Sequence, residues 1–136
     1  MKVLFCIHCE NNFKNFFGHT FEAELAKLVY GGGYDTVILL DSDDLGGGCI
    51  PLLNNNFEAW YWSWGYEPEM FEEDEQEWVI PAHGSEWTYI PPEIRNGRFT
   101  NADIHIAGGG DSECLQCWRD ILEYLDLDYT ETGVIF

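Results

Sequence analysis

Two short runs of this chain are apolar at nearly every position, and a third is apolar at four of its six. Val3-Leu4-Phe5-Cys6-Ile7 lies within residues 2–9, residues 36–40 read Thr-Val-Ile-Leu-Leu, and Ile104, Ile106 and Ala107 lie within residues 102–107. The first two, too short for helices and without polar alternation, predict strands covered on both faces, as in a parallel sheet, and the third is read as a further strand. Between the first two runs the period changes: Thr20 is placed as an N-cap, Glu22 and Glu24 suit the positive end of a helix dipole, and Leu25, Leu28 and Val29 form one stripe ahead of Gly31-Gly32-Gly33. After the third run, Gly108-Gly109-Gly110 predicts a turn, and residues 112–125 a helix with Leu115, Trp118, Ile121, Leu122 and Leu125 on one side. Residues 133–136 predict a last short strand. The expected fold is α/β: one three-layer, Rossmann-like domain over residues 1–136, with a mostly parallel sheet of about four to six strands and helices on both faces.

Residues 52–90 follow neither period, and no element is assigned there. They carry Trp60, Trp62, Trp64, Trp78 and Trp87, and seven acids between Glu67 and Glu77.

Charge changes the picture of what the domain binds. Asp and Glu number 25 against 6 Lys and Arg, a formal charge of −19. The 46% of hydrophobic residues supplies a core, which sets the chain apart from disordered acidic tails. Six scattered cations cannot line a phosphate backbone, so nucleic acid and anionic membrane are excluded as direct ligands. The opening apolar run is too short for a signal peptide or a membrane span, and five cysteines without a closely spaced framework read as reduced thiols, which together give a cytoplasmic expectation.

Among candidate reactive groups, Cys114 comes first. A strand, a glycine turn and a cysteine in the first turn of a helix place the thiol against free backbone N–H groups, expected to lower its pKa and make it the most reactive of the five. Gly110, Asp111, Ser112 and Glu113 form the accompanying oxyanion or ligand loop, whose two acids argue against a phosphate. Cys6/Cys9 and Cys114/Cys117 have the spacing of a four-thiolate zinc site, but strand alternation is expected to point Cys6 and Cys9 to opposite faces. No cofactor is expected, and the residues by themselves point to no metal. His19 reads as a helix-entry residue.

Three patches, in order, resemble the isochorismatase-like cysteine hydrolases, the group that includes nicotinamidases. Val3 through Phe13 is similar to the family's first strand, which ends in Asp-x-Gln-Asn-Asp-Phe. Pro81-Ala82-His83-Gly84-Ser85-Glu86-Trp87 with Ile90-Pro91-Pro92-Glu93-Ile94 is similar to a shortened form of its Pro-x-His-Cys loop. Gly108 to Cys117 resembles its glycine turn and nucleophile helix. The resemblance implies an isochorismatase-like fold with Cys114 as nucleophile. It puts His8 where the family has its acid, leaves the triad lysine without a counterpart (only Arg95 and Arg98 lie between Glu93 and Ala107), and maps the family's metal site onto Asp41, Asp43 and His83.

Two functions follow. One is a non-catalytic acidic inhibitor that mimics nucleic acid toward a basic protein or nucleoprotein complex, in the manner of viral anti-defence proteins. Its binding face would be Glu67, Glu69, Glu72, Glu73, Asp74, Glu75 and Glu77, with Tyr66, Phe71 and Trp78 as desolvated anchors. The other is a cysteine hydrolase cutting an amide or ester of a small metabolite through Cys114, with His8 as base. A homodimer is compatible with either. The missing triad positions favour the inhibitor.

Overall fold

The computed structural model of the protein describes residues 1–18, 20–42, 57–83 and 86–136. The sequence expectations that concern His19, Asp43 and Gly84-Ser85 lie outside the described residues.

The three apolar runs become β1 (Lys2–Ile7), β2 (Thr36–Asp41) and β6 (Asp103–Gly108), the centre of a five-stranded sheet. β3 (Glu58–Tyr61) and β7 (Tyr129–Ile135) are its edges, in the order β3-β2-β1-β6-β7, and every pairing is parallel. The protein is therefore an α/β domain, with helix α1 (Phe21–Gly31) on one face and α2 (Cys114–Tyr124) on the other.

Strand alternation sorts the core into two layers. Val3, Phe5 and Ile7 face α2, where Phe5 stacks on Trp118 at 5.6 Å and Trp62 meets Trp118 edge-on at 5.7 Å. Leu4 and Cys6 face α1 and pack with Phe21, Leu25 and Val29. The unassigned middle is built onto the first layer. A two-stranded antiparallel ribbon, β4 (Val79–Pro81) and β5 (Trp87–Tyr89), is tied to it by Trp62 Nε1, which donates to the Tyr89 carbonyl at 2.9 Å. No helix among the described residues is long and apolar enough to cross a membrane.

The chain runs from β1 outward to β2 and β3, then returns to the other side of β1 as β6 and β7. This reversal splays the loops that follow β1 and β6 and opens a crevice at their carboxyl ends. Ile7 and Gly108 are register partners there, so His8 and the glycine turn start side by side. Gly108 has φ +109°, and a β-carbon at this position would lie 2.1 Å from the Ile7 carbonyl oxygen. Only glycine allows the two strand ends to approach this closely.

Candidate functional site

A cleft of about 470 Å³ occupies that crevice. His8, Phe13, Phe16 and Trp64 line it from one side, and Gly110 through Cys114 with Phe136 from the other. The structure thus brings together the two residues expected to carry hydrolase chemistry, His8 and Cys114, together with the whole ligand loop.

His8 leaves β1 with φ 51°, a left-handed turn that ends the alternation of the strand. As a result Cys9 packs on the same face as Cys6, correcting the expectation that the two would point apart. Cys114 and Cys117 lie in the opposite layer, so the sheet itself separates the two Cys-x-x-Cys pairs.

Below the cleft, His8 and Glu10 form a buried pair, 2% and 0% exposed. His8 Nδ1 stands 2.7 Å from Glu10 Oε1. Glu10 also accepts the Ser42 amide at 2.8 Å and the Ser42 hydroxyl at 2.8 Å. Burial pushes the Glu10 carboxyl up, but the bonds from His8 and Ser42 outweigh it and hold the group below its ordinary value. An ionised Glu10 only accepts, so Nδ1 carries the proton, and in the neutral ring Nε2 keeps its lone pair. That Nε2 atom is buried and has no hydrogen-bond partner. Ring contacts to Phe13 at 4.8 Å, Trp62 at 5.5 Å and Trp64 at 5.5 Å fix the imidazole plane.

Cys114 is the first residue of α2, as its sequence context predicts, but its thiol is not activated by that position. Burial pushes it up to about 12, and the charges of Cys117, Glu113 and Glu10 add to this against one hydrogen bond from the Gly110 backbone. The expected lowered pKa is therefore corrected: desolvation and nearby acids exceed the helix-terminus effect. The loop amides are also not all available. The Asp111 N–H donates to the Phe136 carbonyl at 2.8 Å and the Glu113 N–H to the Gly110 carbonyl at 3.0 Å. Of the loop, the Gly110, Ser112 and Cys114 amides have no backbone acceptor among the described contacts, and Gly110 is the one that bonds to the Cys114 sulfur.

The other candidates go elsewhere. His83 Nδ1 lies 3.8 Å from Cys117 Sγ, and its backbone N–H donates to Asp120 on α2 at 2.9 Å. Asp41 is buried at the end of β2, and among the described residues no group of three His, Cys, Asp or Glu side chains is placed to hold a metal ion.

In the acidic segment, Glu67, Glu69, Glu72, Glu73, Asp74 and Glu77 face water. Glu75 is half-buried and pairs with Arg95 at 2.7 Å. The three rings expected to anchor a partner are occupied within the fold. Tyr66 and Phe71 contact Tyr89 at 5.6 and 4.3 Å, and Arg95 lies 4.7 Å from the centre of Trp78. The large exposed rings beside the cleft are Phe16 and Trp64.

Sequence reasoning assigned no role to Glu10, Phe13, Phe16 or Trp64. A His-x-Glu spacing where a buried strand ends is the signal for the first, since a carboxylate there is two residues from an imidazole it can hold. The rings give no such signal, because their convergence depends on loops without periodicity. Comparison with protein-family models, curated proteins and solved structures found no match.

Proposed function

We propose that the cleft is the active site of a thiol-dependent hydrolase acting on an ester or amide of a small molecule. The observation that carries this reading is that His8, held at Nδ1 by Glu10 and with Nε2 buried and unpartnered, lines the same cleft as Cys114. A thiol raised to about 12 is protonated at neutral pH and needs a base. His8 Nε2 takes the Cys114 proton as Sγ forms a bond to the carbonyl carbon, and the Ser112 and Cys114 amides donate to the resulting oxyanion. Collapse of that intermediate breaks the bond to the leaving group, which takes the proton from His8. Water, deprotonated by His8, then hydrolyses the thioester and restores the thiol. The order of the three motif patches, which resemble isochorismatase-like cysteine hydrolases, supports the same reading, with Glu10–His8 in place of that family's acid and lysine.

The test is covalent trapping. Incubation with p-nitrophenyl esters of short acids should add one acyl group to Cys114, seen by peptide mass spectrometry, and Cys114→Ala should abolish both adduct and turnover. His8→Gln should slow acylation by about 100-fold or more, the usual worth of a general base. Unchanged turnover in Cys114→Ala overturns the reading.

The six exposed carboxylates of residues 67–77 favour a second reading, an acidic face that docks on a basic protein or nucleoprotein complex. With Tyr66, Phe71 and Trp78 engaged internally, that face offers charge without the proposed anchors, so its association should be fast and strongly salt-dependent. Changing Glu72, Glu73 and Asp74 together to Asn or Gln should abolish partner capture while Cys114→Ser leaves it intact. The reverse pattern assigns the function to the cleft.

A further inference from the structure

The lining of the cleft has a consistent chemistry. Phe13 and Trp64 meet edge-on at 5.8 Å and Phe13 and Phe16 lie 6.3 Å apart, a continuous aromatic wall with Phe16 71% and Trp64 47% exposed. The charged groups facing that wall are acids, Asp111 and Glu113, and among the described residues no Lys or Arg lines the cleft. Arg119 reaches Asp111 from behind, through Nη2 to Oδ1 at 2.6 Å and Nη1 to the backbone oxygen at 2.7 Å, and it also binds Glu131. Its charge is thereby shared between two carboxylates, while Glu113 is exposed and has no cationic partner among the described residues. His8 also lines the cleft, its Nδ1 turned to Glu10 and its Nε2 buried without a partner.

We infer that the ligand of this cleft carries a positively charged ammonium head beside its acyl bond. This deepens the hydrolase reading and rests on it for the position of the acyl group at Cys114. An anionic substrate would face Asp111 and Glu113 at close range within a domain of charge −19. A neutral one would gain only apolar contact with the rings. A cation gains the ring quadrupoles of Trp64, Phe13 and Phe16 and the Glu113 carboxylate together, and this is the one charge type that the aromatic wall and the acidic loop both favour.

The experiment measures binding and turnover separately. Benzyltrimethylammonium, its neutral isostere neopentylbenzene and phenylacetate are titrated into the Cys114→Ser protein at 0.15 M salt, followed by tryptophan fluorescence and by the Trp64 indole signal in NMR spectra. The cation should bind about tenfold tighter than the isostere, and phenylacetate should show no binding. Trp64→Leu leaves the net charge unchanged, so it distinguishes the cleft from the general negative field, and it should weaken the cation about tenfold. Glu113→Gln should weaken it about three- to tenfold. Equal binding of cation and isostere, or full retention of cation binding in Trp64→Leu, overturns the inference. Turnover of choline esters against their 3,3-dimethylbutyl isosteres by the wild-type protein provides the second measure. Selective cation binding without turnover of either ester retains the ligand class and removes the hydrolase. Equal turnover of both retains the hydrolase and removes the ligand class.

Discussion

Replacing Glu10 tests whether the buried pair is a structural element of the site. In Glu10→Ala three contacts vanish at once: His8 at 2.7 Å, and the amide and hydroxyl of Ser42, each at 2.8 Å. Hydrogen bonds to a charged acceptor contribute about 1.5–3 kcal/mol each, but those around one carboxylate are not additive, and part of the loss is the cost of leaving the His8 and Ser42 donors buried without partners. The expected loss is about 3–5 kcal/mol, a large share of the roughly 5–15 kcal/mol typical of a domain. Glu10→Gln behaves differently. Its amide oxygen can accept from both His8 and the Ser42 N–H, and its NH₂ can donate to the Ser42 hydroxyl after that rotor turns, so only the charge is lost, at about 1–2 kcal/mol. Urea unfolding followed by tryptophan fluorescence and circular dichroism should show midpoints lowered by about 2 M for Ala and under 1 M for Gln, at an m-value of about 2 kcal/mol/M.

The pH dependence has a definite sign. Glu10 is held below its ordinary value of 4.5 in the folded state, so its contribution is complete above that pH and fades as pH falls through the folded value. The difference in stability between wild type and Glu10→Gln should therefore shrink as pH falls below about 4, where the titration of the other acids cancels in the subtraction. A loss under about 1 kcal/mol in Glu10→Ala, or equal losses in both variants, would refute this account of the pair.

Three further outcomes follow from the described geometry. With its thiol pushed up to about 12, Cys114 should react with iodoacetamide at pH 7 about a thousandfold more slowly than an ordinary exposed thiol near 8.5, measured by time-resolved peptide mass spectrometry, and the rate should climb with pH beyond 9. Gly108→Ala should cost about 3 kcal/mol or more and yield little folded protein by circular dichroism, because its β-carbon would stand 2.1 Å from the Ile7 oxygen at a φ that L-residues avoid. Arg95→Met removes the Glu75 ion pair and the contacts with Trp78 and Tyr89; it should cost about 1–3 kcal/mol and expose Glu72 and Glu73 to a glutamate-specific protease well before global unfolding.

The central strands and both helices were legible because their residues are buried in the pattern each element demands. β1, β2 and β6 are covered on both faces, and the stripes of α1 and α2 each meet one layer. The edges were not. In β3 only Trp60 is buried, and in β7 the stretch Tyr129–Thr132 is half or fully exposed, so the strand begins four residues before its hydrophobic signal at 133–136. An edge strand owes its place to backbone pairing, which leaves little trace in side-chain polarity. The same limit applies to the site. Cys114 and His8 could be placed from the strand ends they follow, whereas the pKa of the thiol depends on burial and on charges brought from β1 and α2, and the roles of Tyr66, Phe71 and Trp78 depend on Arg95 and Tyr89 arriving from further along the chain.

The reversal of strand order around β1 also dictates when the cleft can form. Lys2 pairs with Asp103, so the central strand acquires one of its two neighbours only after about a hundred residues of intervening chain. Closing a loop of that length costs about 4 kcal/mol of chain entropy before any contact offsets it. During synthesis β1 can pair with β2 early, but the half of the cleft that carries Cys114 emerges about a hundred residues later, and the two halves meet only when β6 docks on β1. His8 and Glu10 are made about a hundred residues ahead of the thiol that comes to face them. In pulse-labelled refolding, protection of the β1 amides facing β6 and burial of Cys114 should therefore rise with a single late rate constant, later than the protection of α1.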